Sequence, residues 1–203
     1  MGSPLNMEKP LTILLFGRPG AGKSSQFSLL EEHLRTVDDR PVLPVQWSRL
    51  RDAFMQGDSH AQARIREHHG AGKLQPKFLS VSLWGPELLN SVTGEEHVVI
   101  DGIPRHGLEA ELLDSFFEFY DREPVHVVHI QVPEGVASER LRARCEAQDD
   151  PQAIANRLAW YQTDTHPLLD FFEQSPRYRV ITVDATKDRE AILAEIAAQL
   201  RTA

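Results

Sequence analysis

The chain has 203 residues, 41% of them hydrophobic and 26% charged, with a formal net charge of −8. That length supports one α/β domain with a substantial core, and the acidic balance argues against a nucleic-acid partner while leaving room for a small anion held by a few convergent arginines. One cysteine, Cys145, excludes an intrachain disulfide, no apolar run reaches membrane-spanning length and residues 1–10 lack the apolar core of a secretory leader, so a cytoplasmic protein with no membrane partner is expected.

Taken in chain order, short β-branched and apolar runs predict strands at 11–16, 42–46, 97–101, 125–132 and 178–183. Helical patterns lie between them at 23–36, 48–69, 77–91, 108–120, 135–147, 152–174 and 187–201. In the last, Ile192, Ile196 and Leu200 recur every four residues, and Asp184 or Thr186 is available to cap its start. Pro167 interrupts the 152–174 stretch and predicts a kink or two helices. The aromatic run at 115–121 is expected to face the core. Strand–helix alternation predicts a parallel sheet covered on both faces, because its strands are too continuously apolar to meet water on one side.

The first strand runs into Gly17-Arg-Pro-Gly-Ala-Gly-Lys-Ser24, which has two glycines five positions apart, the second followed by Lys-Ser. Glycines let the backbone curl and turn its N–H groups inward toward phosphate oxygens. The helix that follows adds the positive end of its dipole. Lys23 supplies a charge for the β- and γ-phosphates, and the Ser24 hydroxyl can serve Mg²⁺ or its waters. The expected ligand is a nucleoside triphosphate. Asp101 closes a buried strand before a glycine, where a carboxylate can orient the waters of a magnesium ion. Arg140 and Arg144, at i and i+4, project from one helix face, with Arg142 off that face. His126 and His129 alternate on a strand with too few partners for a metal site. His68 and His69 suit a helix C-terminus, and Cys145 lacks a base.

Further segments carry a resemblance. "GRPGAGKSSQ", "LRDAFMQG" at 50–57, "GAGKL" at 70–74, "DGIPR" at 101–105, "HPLLDFFE" and "VITVDATKD" occur in the order, and at nearly the spacing, of the adenylate kinase family of nucleoside monophosphate kinases, from about residue 11 to 200. The chain resembles that family's short-lid members. The resemblance implies a three-layer P-loop fold with a five-stranded parallel sheet, an acceptor region at about 45–75 and a lid at about 144–152. It implies a monomeric kinase that moves the γ-phosphoryl group of ATP, with Mg²⁺, to a nucleoside monophosphate. It places ATP on Gly17, Pro19, Gly20, Ala21, Gly22, Lys23, Ser24, Ser25, Arg140 and Arg144. The monophosphate falls to Gln46, Arg51, Leu74, Gly102, Arg105, Glu109 and Arg157, and magnesium to Ser24 and Asp101. Lys23, Arg105, Arg140, Arg144 and Arg157 are the expected catalytic set.

The chain also departs from the family. Ala147 stands where the lid has an arginine followed by x-Asp-Asp, which motivates an alternative, a nucleotide-binding module with little catalysis. Gln46 and Ser48 replace the usual Thr and Asp. Glu109 replaces a glutamine that matches adenine, and a carboxylate accepts only, so it suits the N1–H and N2–H₂ of guanine. This motivates GMP as acceptor beside the family's AMP, a small metabolite or modified nucleotide as a further alternative, and, as the plain reading of Glu109, a solvated first-turn residue favoured by the helix dipole.

Overall fold

The computed structural model describes residues 9–144 and 150–201; Cys145, Ala147 and most of the expected lid lie outside them. The five strands are β1 (Thr12–Phe16), β2 (Val42–Gln46), β3 (His97–Asp101), β4 (Val125–Gln131) and β5 (Tyr178–Asp184). They form one all-parallel sheet in the order β2-β3-β1-β4-β5. Every expected strand is present within a residue or two. β2 is an edge strand, the one place where its Pro44 does not break a ladder on both sides.

The helices are α1 (Lys23–Val37), α2 (Trp47–Phe54), α3 (His60–Gly70), α4 (Lys77–Ser91), α5 (Gly107–Phe119), α6 (Glu134–Arg144), α7 (Pro151–Trp160), α8 (Leu168–Gln174) and α9 (Arg189–Arg201). Side chains alternate across the strands and feed two separate cores. On one face, Ile13, Leu15, Val99, Val128 and Ile130 pack with Phe27, Leu30 and Leu34 of α1 and with Ile192, Ile196 and Leu200 of α9. On the other, Leu14, Phe16, Val98, Ile100 and Val127 pack with Trp84 and Leu88 of α4, Leu113 and Phe117 of α5, and Phe172 of α8. This is the expected three-layer α/β architecture.

Adjacent strands β1 and β3 send their helices to opposite faces, α1 to the first core and α5 to the second. The chain therefore parts at their carboxyl ends, and such a parting is where open α/β sheets bind ligands.

Three expectations are corrected and one is refined. The 48–69 stretch is two helices: Ser59 accepts from the Gln62 N–H while the Gln62 side chain accepts from the Ser59 N–H, a capping box that starts α3 afresh. Arg66 braces the break by donating to the carbonyls of Met55 and Gly57 at 2.5 and 2.8 Å. The 152–174 stretch divides as expected, but through a π-helical turn, Tyr161–Thr165, that precedes Pro167. Asp184 does not cap α9: its Oδ1 accepts from the Thr186 N–H and hydroxyl, which folds both into a tight turn before the helix. In the aromatic run Phe117 is buried, whereas Phe119 is 78% exposed.

Candidate active site

The loop after β1 takes its shape from its glycines. Gly17, Gly20 and Gly22 have φ of 147°, 83° and 93°. A Cβ on Gly20 would stand 2.4 Å from the carbonyl oxygen of Ala137 in α6, and one on Gly17 would stand 2.5 Å from that of Ile130. The loop can approach its neighbours only without side chains there. Helix α1 starts at Lys23 with no side-chain cap; the Ser25 N–H turns back to the Gly22 carbonyl at 3.1 Å, and the N–H groups of Lys23 and Ser24 are left for a ligand. Lys23 Nζ donates to the carbonyls of Gly17 and Arg18 at 2.7 and 3.0 Å and so lies across the mouth of the loop. Burial pushes its pKa down to about 8, against the attraction of Asp101, and Arg105 and Arg144 lower it further.

One cavity of about 660 Å³ opens at the carboxyl ends of the strands. Gly17, Pro19, Gly20, Gly22, Lys23, Ser24 and Ser25 line it, joined by Arg140 and Arg144 of α6. Gln46, Arg51, Asp101, Gly102, Arg105 and Arg157 line it too. Ala21 instead lines a second cavity of about 280 Å³, which shares Gly22, Ser25 and Arg140 with the first. Leu74 is half-buried beside cavity-lining Lys73 and Gln75 without lining the cavity itself. Among the described residues, seven basic side chains (Lys23, Arg51, Lys73, Arg105, Arg140, Arg144, Arg157) and two carboxylates (Asp52, Asp101) border the main cavity. An acidic chain thus concentrates positive charge in one cleft.

Asp101 is 4% exposed, and its Oδ2 accepts from the Ser24 hydroxyl at 3.1 Å and from Gln46 Nε2 at 3.0 Å. Its Oδ1 is buried without a hydrogen-bond partner. An orphaned carboxylate oxygen beside a serine hydroxyl is a hard-oxygen donor set that fits magnesium, held in part through water and substrate phosphates. Among the described residues there is no cluster of three or more His, Cys, Asp or Glu that could hold a metal alone.

Arg105 is fixed from several directions. Its Nε donates to Gly102 O at 2.6 Å, its N–H to Glu109 Oε2 at 2.7 Å, and its carbonyl accepts from the Thr165 hydroxyl at 2.7 Å. Burial lowers its pKa to about 10, opposed by Glu109, so it stays a cation at neutral pH. Arg51 pairs with the neighbouring Asp52 at 2.7 Å, and an incoming phosphate would compete with that carboxylate. Arg140 Nη2 donates to Ala185 O at 2.8 Å and reaches toward the smaller cavity.

Glu109 is neither of the things the sequence suggested. It is fully buried, and it does not line the cavity. Its carboxylate accepts from the Arg105 N–H and, at 3.4 Å, from Trp84 Nε1. Two protein donors, and not a base, use its acceptor capacity.

Sequence reasoning missed several residues that border the cavity: Trp47, His69, Gln75, Trp160, Tyr161 and Thr165. Trp47 lies between Gln46 and Ser48, the two positions that depart from the family's pattern. Burial, and then Arg51, lower the pKa of His69 to about 4, so this helix-end histidine is neutral beside the arginines. Tyr161 and Thr165 reach the cavity from the π turn, an irregularity often found at functional positions. His126, whose two nitrogens are buried without partners, belongs to the sheet interior, and burial likewise keeps it neutral.

Known proteins lead to the same place. A model of the adenylate kinase family matches residues 15–177. An adenylate kinase of Cyanothece sp. is 29% identical over 188 residues, covering 91% of this chain and 92% of that protein. An adenylate kinase of Corynebacterium urealyticum is 28% identical over 182 residues, covering 90% and 94%, and adenylate kinase 1 of Nostoc sp. is 27% identical over 191 residues, covering 94% and 99%. The chain belongs to the adenylate kinase family of ATP-dependent nucleoside monophosphate kinases.

Proposed function

We propose that this kinase transfers the γ-phosphoryl group of ATP to AMP. The observation that carries the reading is the single cavity bordered by the glycine loop with Lys23 and also by Arg51, Arg105 and Arg157. Phosphoryl transfer between two polyanions needs positioning and neutralisation more than covalent help. The loop amides and Lys23 bind the β- and γ-phosphates of the donor, and its nucleoside extends into the smaller cavity past Arg140. Arg51, Arg105 and Arg157 hold the acceptor phosphate, each able to offer two parallel N–H donors. Lys23, Arg140 and Arg144 balance the charge in flight. Ser24 and Asp101 would hold magnesium, which when bound neutralises the phosphates and orients the γ-group.

AMP is preferred over GMP for two reasons. The relatives are named adenylate kinases, and the one residue that suggested guanine is occupied by Arg105 and Trp84. A coupled assay with ATP, Mg²⁺ and each of AMP, GMP, CMP, UMP and dTMP tests this. AMP is expected to give the highest kcat/KM, and Glu109→Gln is expected to leave the order of acceptors unchanged. GMP ahead of AMP, with Glu109→Gln reversing them, would overturn the acceptor assignment. ATP binding without transfer to any acceptor would instead favour the weakly catalytic module that Ala147 suggests.

A further inference from the structure

Arg105 is held in a way its motif does not account for. Its Cζ lies over the Trp47 ring at 5.2 Å from the centroid and over the Trp160 ring at 5.7 Å. Trp47 begins α2 and Trp160 ends α7, so two elements far apart in sequence converge on one guanidinium. Trp160 has a second attachment: its Nε1 donates to the carbonyl of Gly72 at 3.1 Å. One turn earlier on the same helix, Asn156 Nδ2 donates to Ala71 O at 2.9 Å. Another turn back, the backbone of Ala153 is so close that a Cβ on Gly72 would stand 2.3 Å from its carbonyl oxygen. Positions 153, 156 and 160 share one helix face, and that face rests on the 71–72 turn between α3 and α4.

We propose that Trp160 is a positioning residue for the acceptor: its ring steadies the Arg105 guanidinium while its N–H fixes the 71–72 turn. The inference rests on the reading of Arg105 as the acceptor-phosphate anchor. A cation over the electron-rich face of an indole is attracted to it, more so where water is excluded. An arginine restrained in advance loses less side-chain freedom when phosphate arrives. Its Nε is committed to Gly102, and among the described residues no protein acceptor bonds its two terminal nitrogens. Those nitrogens are the edge that a phosphate can engage bidentately. Leucine at 160 would fill much of the space yet supply neither attachment, and phenylalanine would keep a ring face and lose the N–H.

The test is calorimetric titration of AMP and of ATP into the wild type, Trp160→Leu and Trp160→Phe, together with KM and kcat for both substrates. Trp160→Leu is expected to weaken AMP about tenfold, from loss of a desolvated cation–π contact, while ATP binding stays within about twofold of the wild type. Trp160→Phe should recover part of the AMP affinity. A general loss of packing would shift both substrates together. Fluorescence gives an independent signature, because the chain has three tryptophans and two lie against Arg105. AMP added without ATP should change the emission of the wild type, and Trp160→Phe should lose the part that Trp160 supplies and keep the part from Trp47. Should Trp160→Leu fail to fold, the Trp160→Phe fluorescence and AMP affinity decide the matter alone. The proposal is overturned by AMP affinity unchanged in both variants, by equal losses for AMP and ATP, or by an intact fluorescence response in Trp160→Phe. A wild type that binds AMP but transfers nothing removes the kinase reading and leaves this inference standing. Transfer to AMP that neither variant weakens does the reverse.

Discussion

Lys23 carries the main pH-dependence expected at the level of single residues. Burial has lowered its pKa to about 8, and a lowered base is charged below that value and neutral above it. The free enzyme therefore loses, as the pH rises through about 8, the cation that we propose meets the donor phosphates. The kcat/KM for ATP, which reports the free enzyme, should fall above that pH by about tenfold per unit. The kcat should hold to higher pH, because bound phosphate favours the charged amine. Rates measured from pH 6.5 to 10 check this, and a kcat/KM flat to pH 9.5 would contradict it. The neutral histidines nearby add no competing transition in that range, since burial holds His69 and His129 at about 4.

At the scale of elements, the glycine loop is shaped by what presses on it. Gly20 and Gly22 both have positive φ, but only Gly20 abuts another element, the carbonyl of Ala137 in α6; a Cβ on Gly22 would meet open space. Gly22→Ala should therefore show only the strain of a left-handed alanine, about 1–2 kcal/mol. Gly20→Ala adds a backbone clash that a flexible side chain cannot relieve, so it should lose more stability and weaken ATP further. Urea denaturation of the two variants side by side measures the difference, and equal losses would mean that α6 yields. The same contrast explains what was legible here. The loop could be read because its glycines, lysine and serine are local requirements of an anion cradle. The break between α2 and α3 was also written locally, in Ser59 and Gln62, but the apolar pattern running through it concealed the new start. At the π turn, Tyr161–Thr165, Pro167 marks a break but not its form, and the contact of Thr165 with the carbonyl of Arg105 across the fold leaves no local mark.

Across the whole molecule, the site and a buried ion pair occupy opposite ends of the sheet. Glu96 and Arg122, 4% and 3% exposed, pair where β3 and β4 begin, and Arg122 Nη1 also donates to Glu96 O at 2.7 Å. The Thr93 N–H and hydroxyl donate to the other Glu96 oxygen. Removing one partner leaves a buried charge uncompensated, so Arg122→Met should destabilise the fold by about 3–5 kcal/mol. Because the pair lies away from the cleft, kcat should stay within about twofold. Chemical denaturation with parallel kinetics tests both statements, and a loss below about 1 kcal/mol would mean that water or a neighbour compensates Glu96. No helix among the described residues is long and apolar enough to cross a membrane.

Alternation of apolar strands with amphipathic helices was enough to determine a parallel, doubly covered sheet, because burial on both faces demands continuous apolar runs. The glycine loop likewise announces an anion cradle through short-range backbone needs, whereas the role expected of the Asp-Gly-x-Pro-Arg turn came from the resemblance to the family. Only the tertiary structure decided what Glu109, Trp47 and Trp160 touch. Residue type suggested that Glu109 was a reader of bases or a solvated carboxylate, but the protein's own Arg105 and Trp84 donors enclose it. The two indoles were invisible as a pair because one guanidinium brings them together from positions more than a hundred residues apart, a distance over which spacing carries no signal.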